Sequence, residues 1–331
     1  MNRIHFIAKP IPPFRLDLTA WALRRRPVNS IDRMVDGVYR RVLVVDGTAV
    51  AVSVAQGGSA ERPKLEVVGI GRDLPSGAEG ILRGAVSAIL GLNVDLADFY
   101  SMSSKHRRLK ALAARFRGVK PPRFPSIYET LVNAIACQQV SLNVGLILLS
   151  RLSLKYGLPP AQGDGWSRSF PTAEAVSRAD LQALRGLGFS RQKAGYLLEL
   201  SRSVCTGQLD LEGLDGMNDR DSVAFLTQIR GIGRWSAEYT LLRGLGRLGV
   251  FPGDDVGGQN SLRRWMGLQR SPNYKKVQDL LERWKRFRGL LYFHLLLKGL
   301  DESGYLEPVT NLHASASLAE TARSRSPSQR S

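Results

Sequence analysis

Two short segments in the C-terminal half carry residue types at spacings that can do chemistry. The first is Gly231-Ile232-Gly233-Arg234-Trp235-Ser236-Ala237-Glu238-Tyr239, and the second is Phe251-Pro252-Gly253-Asp254-Asp255. A Gly-x-Gly turn that opens directly into a helix presents several backbone N–H groups together, and such groups hold phosphate well. Glycine at 231 and 233 permits positive φ and close approach of another backbone. Asp254 and Asp255 follow a Pro-Gly turn and precede a helix, so either one also suits a helix N-cap. An ionised carboxylate beside a bound nucleotide suits cleavage of a glycosidic bond, which passes through an oxocarbenium-like transition state. A fixed anion stabilises that cation and can orient water. No Ser-His-Asp set, P-loop or metal-ligand cluster competes for the role.

Trp235, Tyr239 and Leu242 stand at i, i+4 and i+7 and share one helix face. Leu242 is expected in the core. Trp235 lies in the first turn beside the phosphate site, and with Tyr239 it could wall a pocket for a base.

The 331 residues suit two domains. The formal net charge of +18 points to polyanionic partners. No apolar stretch approaches the ~20 residues of a membrane helix, and the N-terminus lacks the layout of a secretory signal. A cytosolic, nucleoid-associated protein that does not bind membrane is expected. Cys137 and Cys205, with His5, His106, His294 and His313, do not fall at zinc-ligand spacing, and four thiolates for an iron–sulfur cluster are lacking. The chemistry expected is metal-free, with no cofactor. Cys137 sits in an apolar helical run and reads as a small buried hydrophobe.

The elements that must position these residues are also legible. Residues 1–98 read as a mixed α/β unit with strands at 42–46, 48–54 and 64–70, turns at Asp46-Gly47 and Gly57-Gly58, and a helix over 76–90. From about residue 96 the pattern is helical. A basic helix spans 104–116, and Pro121, Pro122 and Pro125 break it. Ser126 and Glu129 have capping-box spacing at the start of the next helix. Further helices are expected over 142–156, 172–177, 178–184, 190–206, 219–229, 234–245, 255–266, 274–284 and 288–300. Leu184-Arg-Gly-Leu-Gly-Phe echoes the Gly-x-Gly layout of 229–234. The Ser/Arg-rich stretch 314–331 reads as a disordered tail.

Taken together, residues 229–255 resemble the helix-hairpin-helix and Gly/Pro-Asp loop that name the HhH-GPD DNA glycosylase superfamily. More closely, the chain is similar to the bacterial DNA-3-methyladenine glycosylase II family over nearly its whole length. Pro12-Pro13-Phe14 and Arg26-Pro27-Val28 stand where that family's TATA-binding-protein-like domain has such residues. Ala134-Ile-Ala-Cys-Gln-Gln-Val-Ser141 and Trp284-Lys-Arg-Phe-Arg288 resemble two further family segments.

The resemblance implies an α+β protein. An N-terminal TATA-binding-protein-like domain (1–98) is followed by an all-helical, two-lobed glycosylase core (99–313). It implies Asp255 as the catalytic carboxylate in place of Asp254, and Gly231, Gly233, Arg234 and Ser236 in the DNA-binding hairpin. Trp235 and Tyr239 match base-pocket positions, and Gln139 matches the wedge that fills the gap left by a flipped base. Several residues depart from the pattern. Gln139 stands where Leu is common, Arg230 where many hairpins have Pro, Arg286 and Phe287 where Pro-Trp is usual, and Leu296 where some members carry a stacking Trp. Bifunctional relatives have a Schiff-base Lys where this chain has Trp235, so a monofunctional hydrolase is implied. The expectation is a monomer that flips alkylated purines out of damaged double-stranded DNA and excises them. A glycosylase for deaminated or oxidised purines, a non-catalytic hairpin DNA-binding protein and an RNA-binding protein stay open as rivals.

Overall fold

The computed structural model describes residues 1–161, 163 and 165–306. The tail expected at 314–331 and the end of the helical part fall outside the described residues. The chain begins with β1 (Asn2–Ala8), α1 (Leu16–Arg24), β2 (Arg33–Val35), β3 (Val38–Val45), β4 (Thr48–Gly57), β5 (Lys64–Gly71) and α2 (Ala78–Leu90). The strands form one antiparallel sheet in the order β1-β5-β4-β3-β2. Asp46 and Gly47 take φ of 44° and 77°, the pair of positive values that a two-residue hairpin matched to strand twist requires. The same chemistry closes β2 onto β3 at Asp36-Gly37, with φ of 52° and 74°. The sequence reading missed β1, α1 and β2. For β2, the Asp-Gly pair at 36–37 was the available signal.

The helical part comprises α3 (Ala97–Ser104), α4 (Arg107–Arg115), α5 (Ile127–Cys137), α6 (Leu142–Tyr156), α7 (Ala173–Ser177), α8 (Leu181–Gly186) and α9 (Arg191–Cys205). It continues through α10 (Asp219–Leu226), α11 (Arg234–Arg243), α12 (Val256–Met266), α13 (Tyr274–Leu281) and α14 (Arg288–Glu302). Several bounds shift: α8 lies at 181–186 where 178–184 is expected, α10 stops at 226 where 229 is expected, and two further changes have a local cause. The basic helix starts at 107, because the chain breaks after α3 at residues 105–106. The helix expected to reach 284 ends at 281 and continues as a 3₁₀ segment, Glu282–Phe287, with Trp284 off helical geometry.

Three apolar cores hold these elements. One joins α5, α6, α7, α9 and α10 through residues such as Leu131, Leu149, Leu197 and Leu226. A second packs the sheet on α1 and α2 and reaches Phe124, Ala134 and Tyr239. The third gathers α1, α3, α4 and α12 to α14 around Phe99, Phe251, Leu262 and Leu291. Helix α11 lies where all three meet. Its Ala237 and Leu241 enter the first core, Tyr239 the second and Leu242 the third. A helix buried on every side at such a junction cannot shift without disturbing all its neighbours.

Capping chemistry sets the helix starts. Ser126, Ser141, Thr172, Asp180, Ser190, Asn218, Asp255 and Asn273 each accept a hydrogen bond from the third helical N–H. At Ser126 the box is only half made. The Glu129 carboxylate turns inward and accepts both contacts from Arg41 of β3 at 2.6 Å, while Arg41 also pairs with Asp32 at 2.7 Å. This buried cluster ties the sheet to α5.

One buried group predicts how the fold responds to acid. His294 of α14 is fully enclosed against Phe99 and Phe116, its Nδ1 lies 2.7 Å from the Leu290 carbonyl, and its Nε2 has no partner among the described residues. Burial pushes the imidazole pKa down to about 4. The unfolded chain binds this proton below about 6.5 and the folded chain does not, so stability is lost as pH falls through that window. His294→Leu is expected to reduce the loss between pH 7 and pH 5 by about 2 kcal/mol, read by urea denaturation at both pH values. Equal losses in parent and variant would assign the acid sensitivity elsewhere.

Candidate active site

The two chemistry-bearing segments meet at the entry of α11. Gly231 takes φ of 88°, and a Cβ built there would meet the Tyr196 ring at 2.3 Å. Gly233 is different. It is the N-cap of α11 at φ −93°, ψ 179°, and nothing lies within 4 Å of a Cβ built on it. The expectation that both glycines serve positive φ therefore holds for Gly231 alone. At Gly233 the backbone is open to the cleft.

The Pro-Gly-Asp-Asp loop is fastened to α11 by Glu238. Its carboxylate accepts from the Gly253 N–H at 2.9 Å and from the Tyr274 hydroxyl at 2.7 Å. The loop then delivers Asp255 as the N-cap of α12, where Oδ2 accepts from the Gly258 N–H at 2.7 Å. The Tyr292 hydroxyl donates to Oδ2 at 3.1 Å, and the Trp235 indole N–H donates to Oδ1 at 3.2 Å. Burial pushes the Asp255 carboxyl above the usual carboxylate range. The Gly258, Tyr292 and Trp235 donors and the charge of Arg25 act in the opposite sense. Asp254 has a separate environment. It pairs with Arg234 at 2.7 Å, and that guanidinium lies 3.7 Å from the Tyr274 ring centroid. One aspartate is thus aimed inward among donors, and the other is neutralised at the surface.

Trp235 and Tyr239 stack on each other with centroids 5.4 Å apart and 28° between planes. Tyr239 is buried and Trp235 is partly exposed. Both line a cleft of about 1130 Å³ together with Asp255, Tyr292, Gln139, Leu296 and Arg25. That volume exceeds what a purine needs and suits an extruded nucleotide with flanking backbone. Cys137, expected to be buried, also lines the cleft; it is part-exposed, although burial still pushes its thiol above the usual range. Its helix ends there, at the mouth of the cleft. Leu242 is fully buried, as expected.

Four neighbours of this site were not singled out from sequence. Gln138 bridges two halves of the cleft, donating from Nε2 to the Gly231 carbonyl at 2.7 Å and the Ser236 hydroxyl at 3.0 Å. Lys193 caps the end of α5 by donating to the carbonyls of Ala136 and Gln138 at 2.9 and 2.6 Å. These anchors hold residue 139 in a left-handed conformation, φ 52°, with Gln139 exposed on the cleft. Tyr292 and Arg25 complete the set. Tyr292 sits in a plain apolar helix pattern, and Arg25 is one of three successive arginines, so neither stood out. Among the described residues no group of three or more His, Cys, Asp or Glu side chains is placed to hold a metal ion, and no helix is long and apolar enough to cross a membrane.

The sequence and the fold have counterparts in known proteins. Residues 132–286 match the family model described as HhH-GPD superfamily base excision DNA repair protein. The chain is 30% identical over 210 residues to a DNA-3-methyladenine glycosylase of Bacillus subtilis, covering 62% of this chain and 67% of that one. It is 27% identical over 288 residues to DNA-3-methyladenine glycosylase 2 of Escherichia coli, covering 86% and 94%. Among solved structures, a 3-methyladenine DNA-glycosylase from Archaeoglobus fulgidus superposes with a TM-score of 0.76 at 28% identity, over 91% of this chain and 100% of that one. On this sequence and fold similarity, the chain belongs to the DNA-3-methyladenine glycosylase family of the HhH-GPD superfamily.

Proposed function

We propose that this protein is a monofunctional DNA glycosylase that excises alkylated purines, of the 3-methyladenine and 7-methylguanine type, from duplex DNA in base excision repair. The observation that carries the reading is Asp255, aimed into an aromatic-walled cleft beside a glycine hairpin. The Gly233 backbone and the first N–H groups of α11 would hold a phosphate, with Gly231, Arg234 and Ser236 shaping the hairpin. The lesion would be extruded at an unstacking cost of a few kcal/mol. It would stack on Trp235 and Tyr239, where a cationic alkylated base gains cation–π attraction. Gln139 would fill the gap left in the duplex. Asp255 would stabilise the developing sugar cation and direct water to C1′. The base, already a good leaving group, departs without a strong general acid.

The same reading includes a monomer acting without a cofactor close to the chromosome. The sheet unit 1–98 is taken as a TATA-binding-protein-like domain and 99–313 as the catalytic core. Trp235 occupies the hairpin position where a Schiff-base amine would have to stand, so the product is expected to be an intact abasic site. A duplex bearing one 7-methylguanine tests both parts. Free 7-methylguanine should be released, the strand should break only after hot alkali, and borohydride should trap no protein–DNA adduct. No release above the enzyme-free control would sink the glycosylase reading. Adduct in good yield, mapped to a lysine such as Lys285 or Lys298, would overturn its monofunctional part alone.

A further inference from the structure

A positive charge is built into the wall of the cleft. Arg25 follows α1 with φ 66°, a conformation that side-chain-bearing residues rarely adopt. Its side chain is 5% exposed and lines the same cleft as Trp235, Tyr239 and Asp255. Nη1 donates to the Tyr239 hydroxyl at 2.9 Å and Nη2 to the Asn133 side-chain oxygen Oδ1 at 2.8 Å, while Nε has no partner among the described residues. The guanidinium stands 5.5 Å from the Phe124 ring centroid. A second buried cation, Arg243, lies against Phe124, Tyr239 and Phe293, and it is held by the Ala22 and Leu23 carbonyls. Two guanidinium groups thus back the aromatic wall, against the Asp255 carboxylate in front of it, since the Asp254 carboxylate on the same cleft is paired with Arg234.

We propose that Arg25 is a specificity-determining and positioning residue of this cleft, one that favours bases departing with negative charge over bases departing neutral. The inference rests on the glycosylase reading above. When the C1′–N9 bond breaks, its electron pair goes to the base. C1′ then takes the oxygen of water, and the water proton passes to Asp255 and on to solvent. A purine alkylated at N7 or N3 starts as a cation and leaves neutral, so a fixed positive charge opposes its binding, and its departure only relieves that repulsion. An uncharged purine leaves as an anion and takes a proton from water afterwards, so a buried guanidinium nearby stabilises its transition state. Arg25 also fixes the Tyr239 ring through its hydroxyl, which sets the stacking plane for either kind of base.

The test compares the second-order rate of single-turnover excision, taken at sub-saturating enzyme so that binding of the base is included, from two duplexes that differ only in carrying 7-methylguanine or hypoxanthine. The parent is expected to release both. Arg25→Gln is expected to slow hypoxanthine release at least tenfold more than 7-methylguanine release, and Arg25→Lys to recover part of the hypoxanthine rate. Equal losses on both bases, or no loss on either, would overturn the proposal. Should Arg25→Gln not fold, Arg25→Met decides it, because it keeps an unbranched side chain and removes the charge. A severalfold fall in the hypoxanthine-to-7-methylguanine ratio supports the role, and an unchanged ratio overturns it. A parent that releases 7-methylguanine but no hypoxanthine defeats the proposal and leaves the glycosylase reading standing. A parent that releases neither base removes both.

Discussion

Asp255→Asn is expected to abolish most base excision, by a factor of 10²–10³ or more on the scale of a lost transition-state charge contact, while leaving duplex binding intact. The carboxylate charge is what an oxocarbenium ion would feel, and the amide keeps the shape without the charge. Folding should survive the change. Burial holds the Asp255 carboxyl above the usual carboxylate range, so the folded protein binds this proton more tightly than the unfolded chain. Stability therefore falls as pH rises through the interval between the two pKa values. Removing the charge lifts that penalty but sets the amide NH2 against the Trp235 indole N–H, one donor facing another, so the variant should stay folded and melt within a few degrees of its parent at pH 7. In the parent, excision should fall on the acid side at a higher pH than an ordinary aspartate would give, since only the ionised form serves. Asp254→Asn should be much milder, because Asp254 is spent on Arg234 at the surface. Single-turnover rates with both variants and a melting curve of each decide the matter. Reversed severity would mean that the wrong carboxylate has been chosen.

The site was legible where local spacing alone fixes geometry. The i, i+4 relation of Trp235 and Tyr239 sufficed to predict a shared face, and the structure stacks the two rings. Capping chemistry put Asp254 or Asp255 at a helix start, and the fold uses Asp255 there. What could not be read is whatever depends on distant chain. Arg25 is 214 residues from Tyr239 and Tyr292 is 37 from Asp255, and no periodicity links either pair. The Glu129 carboxylate satisfied the capping-box pattern, but a buried arginine from the sheet competes for it and wins, because an unpaired buried charge costs far more than an open cap. Strand β1 was missed for a related reason. At the edge of the sheet, half-buried, it carries His5 and Arg3 among its apolar residues and has no turn signal of its own. Gly231 and Gly233 looked alike in sequence, and only the backbone angles separate a strained turn from an open cap.

That distinction yields a second large effect. Gly231→Ala is expected to damage the hairpin in two ways. The left-handed backbone at φ 88° costs an L-residue about 1–2 kcal/mol. The new methyl would also stand 2.3 Å from the Tyr196 ring, so helix α9 must move or the turn must open. Either response disturbs the Gly231 carbonyl that Gln138 holds, and with it the end of α5 from which Gln139 projects. The variant should lose about 2 kcal/mol of stability or more and most of its affinity for undamaged duplex. Gly233→Ala adopts its backbone without strain and meets nothing in the free protein, so its stability should stay within about 0.5 kcal/mol of the parent. Its methyl would stand on the open face where the proposed phosphate sits, so its duplex affinity should fall about tenfold, the equivalent of ~1.4 kcal/mol. The salt dependence of binding should stay as steep as in the parent, because lysine and arginine contacts set it and backbone N–H groups do not. Titrations at several salt concentrations, beside denaturation curves, separate the two variants. If Gly233→Ala binds as well as the parent, no phosphate rests on the start of α11, and the hairpin holds DNA by some other contact.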